Sequence, residues 1–530
     1  MLSDSDKSSA GLAKSAATVS IAVMCSRLLG LIREQVFATL FGAGYAYDSF
    51  VVAFRIPNLL RDLFGEGALS AAFVSVFSDY NANRSKEETW QLASNVLCFF
   101  IVAISLITLL GMFFADQIVS VLAPDFKTVS GKAEITATMT VIMMPFLLFI
   151  SLAAVVMGIL NTKNRFFIPS LASSFFNLGS IIGGTALAFT FPKYGYPAII
   201  GMAFGTLIGG FLQLAVQLPV LKKIGFKFKP VFNLSDPGLI RVLKLMIPAT
   251  IGLSATQINI FINTNFASSC TEGSVSWLNY AFRLVQLPIG LFGVAISIAA
   301  LPVLVRQAST KNYQQMRETF VSSLTMVFCL TIPATVGLIV LSEPIIKVIF
   351  EHGAFTASDT QATAIALSLY GIGLFAYSAN KVIVPVYYAV NATRYPVIAS
   401  FLAIGFNVLI IINTIDHFQH RAIALSTSAV MIINFIFLVT ILFFKIEGFS
   451  IKQLFSGLTK IIAATAVMGF VLIVLYKLFS DQFFCSIFHQ CGFLFLLISI
   501  SVIVYIFVLN LIGLKEINDI TNRIKNKLIR

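Results

Sequence analysis

Charge is scarce in this chain of 530 residues, where Asp, Glu, Lys and Arg together make up 11% against 58% hydrophobic residues. A soluble multidomain protein cannot cover its surface at that charge density, so that class is excluded. Tryptophan (2), histidine (4) and cysteine (6) are also few. The cysteines, Cys25, Cys98, Cys270, Cys329, Cys485 and Cys491, include no CxxC pair and imply neither a zinc site nor a disulfide framework. Only Cys485 and Cys491 lie close together in one outer loop, where a bridge is the alternative. The histidines fall in loops, and Asp416-His417-x-x-His420 is a poor metal motif. Walker, GxSxG, HExxH and dinucleotide fingerprints are missing from any fitting context, so an enzyme that hydrolyses ATP or an ester is not expected.

What is abundant is apolar length. Phe alone contributes 51 residues, and mean hydropathy is +0.92. Lipid absorbs such side chains where a water-facing surface could not. Runs of about 20 apolar residues, each enough to cross a bilayer, number about fourteen, the first two at 16 to 41 and 47 to 79. The fold class is therefore all-α, a polytopic membrane protein. The polar start Met1 to Ser15 leads into a long first span interrupted by arginines, a pattern unlike a cleavable signal peptide. With the N-terminus inside, the inner segments carry about four basic residues for each one outside, where Lys127, Lys132, Lys193, Lys347, Arg421 and Lys477 fall. That bias places both termini in the cytoplasm and accounts for the net charge of +13 without a nucleic-acid partner.

An internal repeat follows. Ala53-Phe54-Arg55 matches Ala281-Phe282-Arg283, and the same offset pairs Leu63-Phe64-Gly65 with Leu291-Phe292-Gly293 and Ala71-Ala72 with Ala299-Ala300. The loop Asn161 to Phe166 matches Asn391 to Tyr395 at nearly that offset. An offset covering six spans makes the two copies parallel, a transporter architecture with its site expected between the halves. The division this predicts is a six-helix lobe over 1–230, a second over 231–448, two extra spans over 449–514, and a basic cytoplasmic tail over 515–530.

Six basic residues remain inside the spans: Arg27, Arg33, Arg55, Arg61, Arg283 and Lys381. Glu34, Asp48, Asp62 and Glu66 accompany them. Ten ionisable groups facing lipid would cost on the order of 30 kcal/mol. They must instead face one another, water or a charged ligand. Spacings of 7 and 4 place Arg55, Asp62 and Glu66 near one line on a straight helix, and Arg27 shares a face with Glu34. Arg55 with Asp62 or Glu66 also reads as an ion pair that only holds the bundle, and Glu34 and Asp48 as arginine partners. Lys381 reads either as snorkelling or as facing a cavity. Arg27, Arg33, Arg61 and Arg283 exceed what the nearby carboxylates need, and guanidinium forks suit phosphate oxygens. An anionic substrate carrying phosphate or diphosphate is expected. Pro57, Gly65 and Gly67, and Pro288 with Gly290 and Gly293, are the expected bending points. The tail Lys515 to Arg530 reads as an amphipathic helix on the inner membrane face.

At Ser26-Arg27-Leu28-Leu29-Gly30-Leu31-Ile32-Arg33-Glu34, Phe41-Gly42-Ala43-Gly44 with Asp48, Ala53-Phe54-Arg55-Ile56-Pro57-Asn58-Leu59-Leu60-Arg61 and Gly65-Glu66-Gly67-Ala68, the chain resembles the MurJ (MviN) family of lipid II flippases. Gly158-Ile159-Leu160-Asn161-Thr162, Gly273-Ser274-Val275-Ser276 and Tyr280-Ala281-x-Arg283-Leu284 extend the likeness, which runs from about residue 16 to 510. The resemblance implies a transporter of the bacterial cytoplasmic membrane, not an enzyme. It would move undecaprenyl-diphosphate disaccharide-pentapeptide to the outer leaflet for peptidoglycan synthesis, by alternating access. A related exporter of another polyprenyl-linked oligosaccharide, or a multidrug extruder, is the alternative. Substrate contacts are implied for Arg27, Arg33, Arg61, Arg283, Asp48 and Glu66, joined by Arg55 and Lys381 from the charge argument. The last two spans are implied to form a groove for the lipid tail. No metal or organic cofactor is implied; coupling to membrane potential or a monovalent cation, and a partner in the cell-wall synthesis machinery, are further expectations. Two positions depart from relatives: Phe282 stands where many carry a polar residue, and Ile365 where some carry an arginine.

Overall fold

The computed structural model describes residues 4–65, 67–479 and 486–514. Every regular element among them is helical. In the first part these are α1 (Asp4–Phe41), α2 (Tyr45–Leu60), α3 (Ala68–Asn83), α4 (Lys86–Phe113), α5 (Ala115–Leu122), α6 (Lys132–Met143), α7 (Phe146–Thr162), α8 (Phe167–Thr190), α9 (Ala198–Ala215), α10 (Leu218–Lys223) and α11 (Pro237–Ser268). Then follow α12 (Ser274–Pro288), α13 (Ala295–Ser309), α14 (Tyr313–Val340), α15 (Ser342–Phe350), α16 (Ala357–Ile372), α17 (Leu374–Ala389), α18 (Arg394–Phe418), α19 (His420–Lys445), α20 (Ile451–Leu478) and α21 (Ile487–Ile512). Among the described residues, eleven helical runs are long and apolar enough to cross a membrane, twelve with α16 and α17 taken as one span bent by 43°. This falls short of fourteen; α1 and the broken run α2–α3 occupy the positions of the first two expected spans. Phe113, Phe470, Phe488 and Phe495 stand exposed, as lipid-facing helix surface requires.

The repeat expected from short matches is visible in the order of the helices. A long helix (α1, α11) is followed by a broken one, then by the long α4 or α14, the short α5 or α15 and a second broken helix. The breaks fall at corresponding places. A π-helical turn interrupts Arg61–Gly65 in the first copy and Ile289–Val294 in the second. Pro57 precedes one and Pro288 abuts the other. A proline lacks the N–H that the ladder needs and crowds the preceding turn, so a local wide turn is a ready accommodation. The second break separates α6 from α7 at Met144 and Pro145, and α16 from α17 at Gly373. There the hydroxyl of Ser428 lies 2.6 Å from the Leu369 carbonyl and accepts the Gly373 N–H at 3.2 Å. Backbone groups loosened by the bend are thereby satisfied without water. A Cβ on Gly373 would fall 2.7 Å from the Ser428 Cα, so glycine is required for this approach.

By packing, the chain forms two compact units, Met1–Ser276 and Trp277–Arg530. In the first, Phe73, Phe77, Leu92, Val96, Val155 and Ile159 form a core that Leu239 and Val242 of α11 complete. So α11 lies on α3 by packing, although the repeat makes it the opening helix of the second copy. In the second unit, Phe320, Leu324 and Phe328 of α14 meet Ile383 and Tyr387 of α17 and Leu438 of α19. The terminal pair docks here too: Ile461 and Met468 of α20 join that core, and Tyr505 of α21 donates its hydroxyl to the Cys329 carbonyl at 2.7 Å.

Helices α8 and α9 meet through glycines. A Cβ on Gly205 would fall 2.4 Å from the Gly184 Cα and 2.8 Å from the Ser180 carbonyl oxygen. Small residues let helix backbones approach where lipid offers no hydrophobic drive to associate. Gly205→Ala is expected to cost about 1–3 kcal/mol through overpacking and to lower Tm in detergent. Gly252→Ala on α11, where a Cβ meets nothing within 4 Å, should leave Tm unchanged or raise it slightly, and an equal loss in both variants would refute the packing argument.

Candidate functional site

On α1 the charged residues separate into two environments. Arg27 is half-buried and makes no hydrogen bond or ion pair with other described residues. Arg33 is 8% exposed. Its Nη2 donates to Glu34 Oε1 at 2.9 Å, and its guanidinium sits 5.3 Å from the centroid of the Phe176 ring on α8. Tyr47 of α2 donates its hydroxyl to the other Glu34 oxygen. Glu34 thus pairs with an arginine, and that arginine is its neighbour Arg33. Adjacent helix positions do not face each other, but the long arginine stem curls back to its neighbour and Tyr47 fixes the carboxylate. Asn177 of α8 donates to the Ser26 carbonyl at 3.0 Å, which ties α1 to α8 beside Arg27. The Arg33 Nε has no acceptor among the described residues.

The broken run α2–α3 carries the next group. Arg55 is half-buried on α2. In the π turn, Arg61 donates Nε and Nη2 to Asp62 Oδ1 at 3.1 and 2.8 Å, with side chains 25% and 30% exposed. Gln257 of α11 donates to the other Asp62 oxygen at 3.2 Å. Arg61 and Asp62, adjacent in sequence, thus pair within the wide turn. Gly65 closes the π turn, and Gly67 follows it. A Cβ on Gly67 would fall 2.6 Å from both the Asp62 carbonyl oxygen and Leu253 Cδ1. Glu66, a predicted site residue, lies outside the described residues, as do Cys485 and the tail Lys515–Arg530.

Asp48 is 2% exposed and has four donors. Lys132 Nζ lies 3.1 Å from Oδ2, and the Gly273 N–H reaches the same oxygen at 2.9 Å. Oδ1 accepts the Ser276 N–H at 2.9 Å and its hydroxyl at 2.6 Å. Four donors match the lone pairs of an ionised carboxylate, and the N-terminus of α12 adds a favourable dipole. The partner expected for Asp48 was an arginine; it is a lysine instead. Lys132, 3% exposed, falls by sequence in an outer segment, and no local pattern marks it as a partner. Its ammonium lies 4.4 Å from the Phe126 ring centroid.

In the second unit, Arg283 is half-buried on α12, and Phe282 beside it packs edge-on to Tyr370. Pro288 ends α12, and Gly290 lies within the π turn. At Gly293 a Cβ would fall 2.9 Å from the Ser378 Cα, which sets that turn directly on α17. Lys381, one turn further along α17, is exposed, with its ammonium 5.7 Å from the Tyr377 ring centroid. Its carbonyl accepts the Ser297 hydroxyl at 2.6 Å, so α13 is fastened to the same stretch. Among the described residues, no group of three His, Cys, Asp or Glu side chains could hold a metal. Cys25, Cys98, Cys270, Cys329 and Cys491 are free thiols.

Comparisons with known proteins agree on one family. The family model described as "Lipid II flippase MurJ" matches residues 37–494. A Buchnera aphidicola (subsp. Schizaphis graminum) protein named "Probable lipid II flippase MurJ" is 35% identical over 95% of this chain and 98% of its own length. The "Lipid II flippase MurJ" of Burkholderia cenocepacia is 35% identical over 72% of this chain and 74% of its own. The solved structure "Lipid II flippase MurJ, inward closed conformation" superposes with a TM-score of 0.77 at 31% identity, covering 97% of this chain and 99% of that one. An inward-facing multidrug resistance MATE family transporter of the MOP superfamily shares the fold alone, with a TM-score of 0.67 at 15% identity over 82% of this chain and 98% of that one. A multi-pass helical membrane protein with arginines set inside its helices, this chain belongs to the MurJ family of lipid II flippases.

Proposed function

We propose that this chain carries lipid II from the inner to the outer leaflet of the bacterial cytoplasmic membrane by alternating access, with both termini in the cytoplasm. The observation that carries the reading is a set of guanidinium groups fixed inside apolar helices, Arg27 among them without a protein partner among the described residues. A diphosphate offers such groups the bidentate acceptors they suit. The diphosphate is assigned to Arg27, Arg61 and Arg283, and further substrate contacts to Arg55, Lys381 and Glu66. Arg33 and Asp48 act through the helices they fix. The π turns at Arg61–Gly65 and Ile289–Val294 are the bending points, because wide turns already lack the regular ladder that resists bending. A positive site also suits coupling to the membrane potential.

Depletion separates this reading from a related exporter. Loss of the protein is expected to accumulate lipid II in the inner leaflet and cause lysis. Intact walls with missing surface polysaccharide would point instead to another polyprenyl-linked oligosaccharide as cargo.

A further inference from the structure

The connector between α10 and α11, residues 224–236, has no helix and no acidic residue before Asp236, which caps α11. It is nevertheless fixed. Asn95 of α4, 1% exposed, donates to the Asn233 carbonyl at 2.8 Å and accepts the Asn233 N–H at 2.8 Å. The Ser94 hydroxyl accepts the Lys229 N–H at 3.4 Å. Phe226 is buried edge-on to Trp90 with ring centroids 5.3 Å apart. The side chains turned outward have two kinds of chemistry. Lys222, Lys223, Lys227 and Lys229 are exposed, and Phe228, Phe232 and Leu234 between and after them are 49%, 54% and 57% exposed.

This strap joins the ends of two membrane-length runs, Ala198–Lys223 and Pro237–Ser268, so it lies at a membrane boundary. Positive charge continues onto α4 and the α7–α8 turn. A Cβ on Gly225 would fall 4.0 Å from Lys86 Nζ, and Lys163 stands 5.1 Å from the centroid of the Trp90 ring that Phe226 contacts. Burial, and then the like charge of Lys86, hold the Lys163 ammonium below the usual lysine range. Crowded cations beside exposed aromatic and aliphatic groups, on a backbone held in place, match the boundary between phosphate headgroups and acyl chains.

We propose that the strap over residues 224–236, with Lys222 and Lys223, is a binding surface for anionic phospholipid. The lysines meet the phosphates, and Phe228, Phe232 and Leu234 enter the acyl boundary. An acidic protein would satisfy the lysines but leave those apolar groups unexplained. The test is native mass spectrometry of the full-length protein released from nanodiscs of phosphatidylglycerol and phosphatidylcholine in equal parts. Wild type should retain phosphatidylglycerol in preference. Lys222→Gln, Lys223→Gln, Lys227→Gln and Lys229→Gln together should reduce that preference, by up to roughly fivefold for each lysine. A control variant carrying Lys311→Gln, Lys445→Gln and Lys452→Gln, all exposed and elsewhere, should keep it. Equal retention by wild type and the strap variant would overturn the proposal, as would equal losses in strap and control variants.

Discussion

Arg27→Ala and Arg33→Ala are both expected to abolish complementation of a depleted strain, and only the second is expected to lower the melting temperature. The difference follows from the partners. Arg27 has none among the described residues, so its removal takes away a ligand contact and leaves the packing as it was. Arg33 neutralises Glu34, which is 2% exposed. Truncating Arg33 removes the cation observed against a buried carboxylate, and breaking such a pair costs about 3–5 kcal/mol. Thermal unfolding of the purified variants in detergent checks this. A normal Tm for Arg33→Ala would return Arg33 to the group that contacts the substrate. Arg27→Lys should restore only part of the function, because an ammonium is a point charge and cannot form the two-pronged contact.

The second large effect is expected at Asp48 and Lys132. Lys132→Met leaves the carboxylate with three neutral donors in place of an ion pair, and Asp48→Asn leaves a buried ammonium uncompensated. Each single change should cost about 3–5 kcal/mol. The double variant should lose less than the sum, since neither charge is then left alone. Additive losses in a double-mutant cycle followed by thermal unfolding would show that the two groups do not act as a pair. Function should fall in both single variants, because Asp48 anchors the start of α2 to the Gly273–Ser276 turn.

Much of the architecture was legible because its signals are local. Apolar run length and the bias of Lys and Arg gave a helical membrane protein, and a few matched triplets gave the repeat. Pro57 and Pro288 marked where helices would depart from regularity, and π turns lie within a few residues of both. The partners of the charges were far less legible. Lys132 and Asp48 are 84 positions apart, and only the packing of α2 on α6 joins them. Arg33–Glu34 and Arg61–Asp62 misled for the opposite reason. Helical geometry sends adjacent side chains apart, yet a long guanidinium arm reaches its neighbour when the backbone widens or a third residue such as Tyr47 pins the carboxylate. The sequence excess of arginine over carboxylate was therefore a sound guide to net charge and a poor one to which arginine is paired.

On this reading, guanidinium groups inside the helices hold the diphosphate of lipid II. Translocation of labelled lipid II by purified protein in proteoliposomes, with wild type compared to a variant carrying Arg27→Ala, Arg61→Ala and Arg283→Ala, checks this. Translocation by the wild type and none by a folded triple variant is the expected result. Undiminished translocation by the triple variant would contradict it.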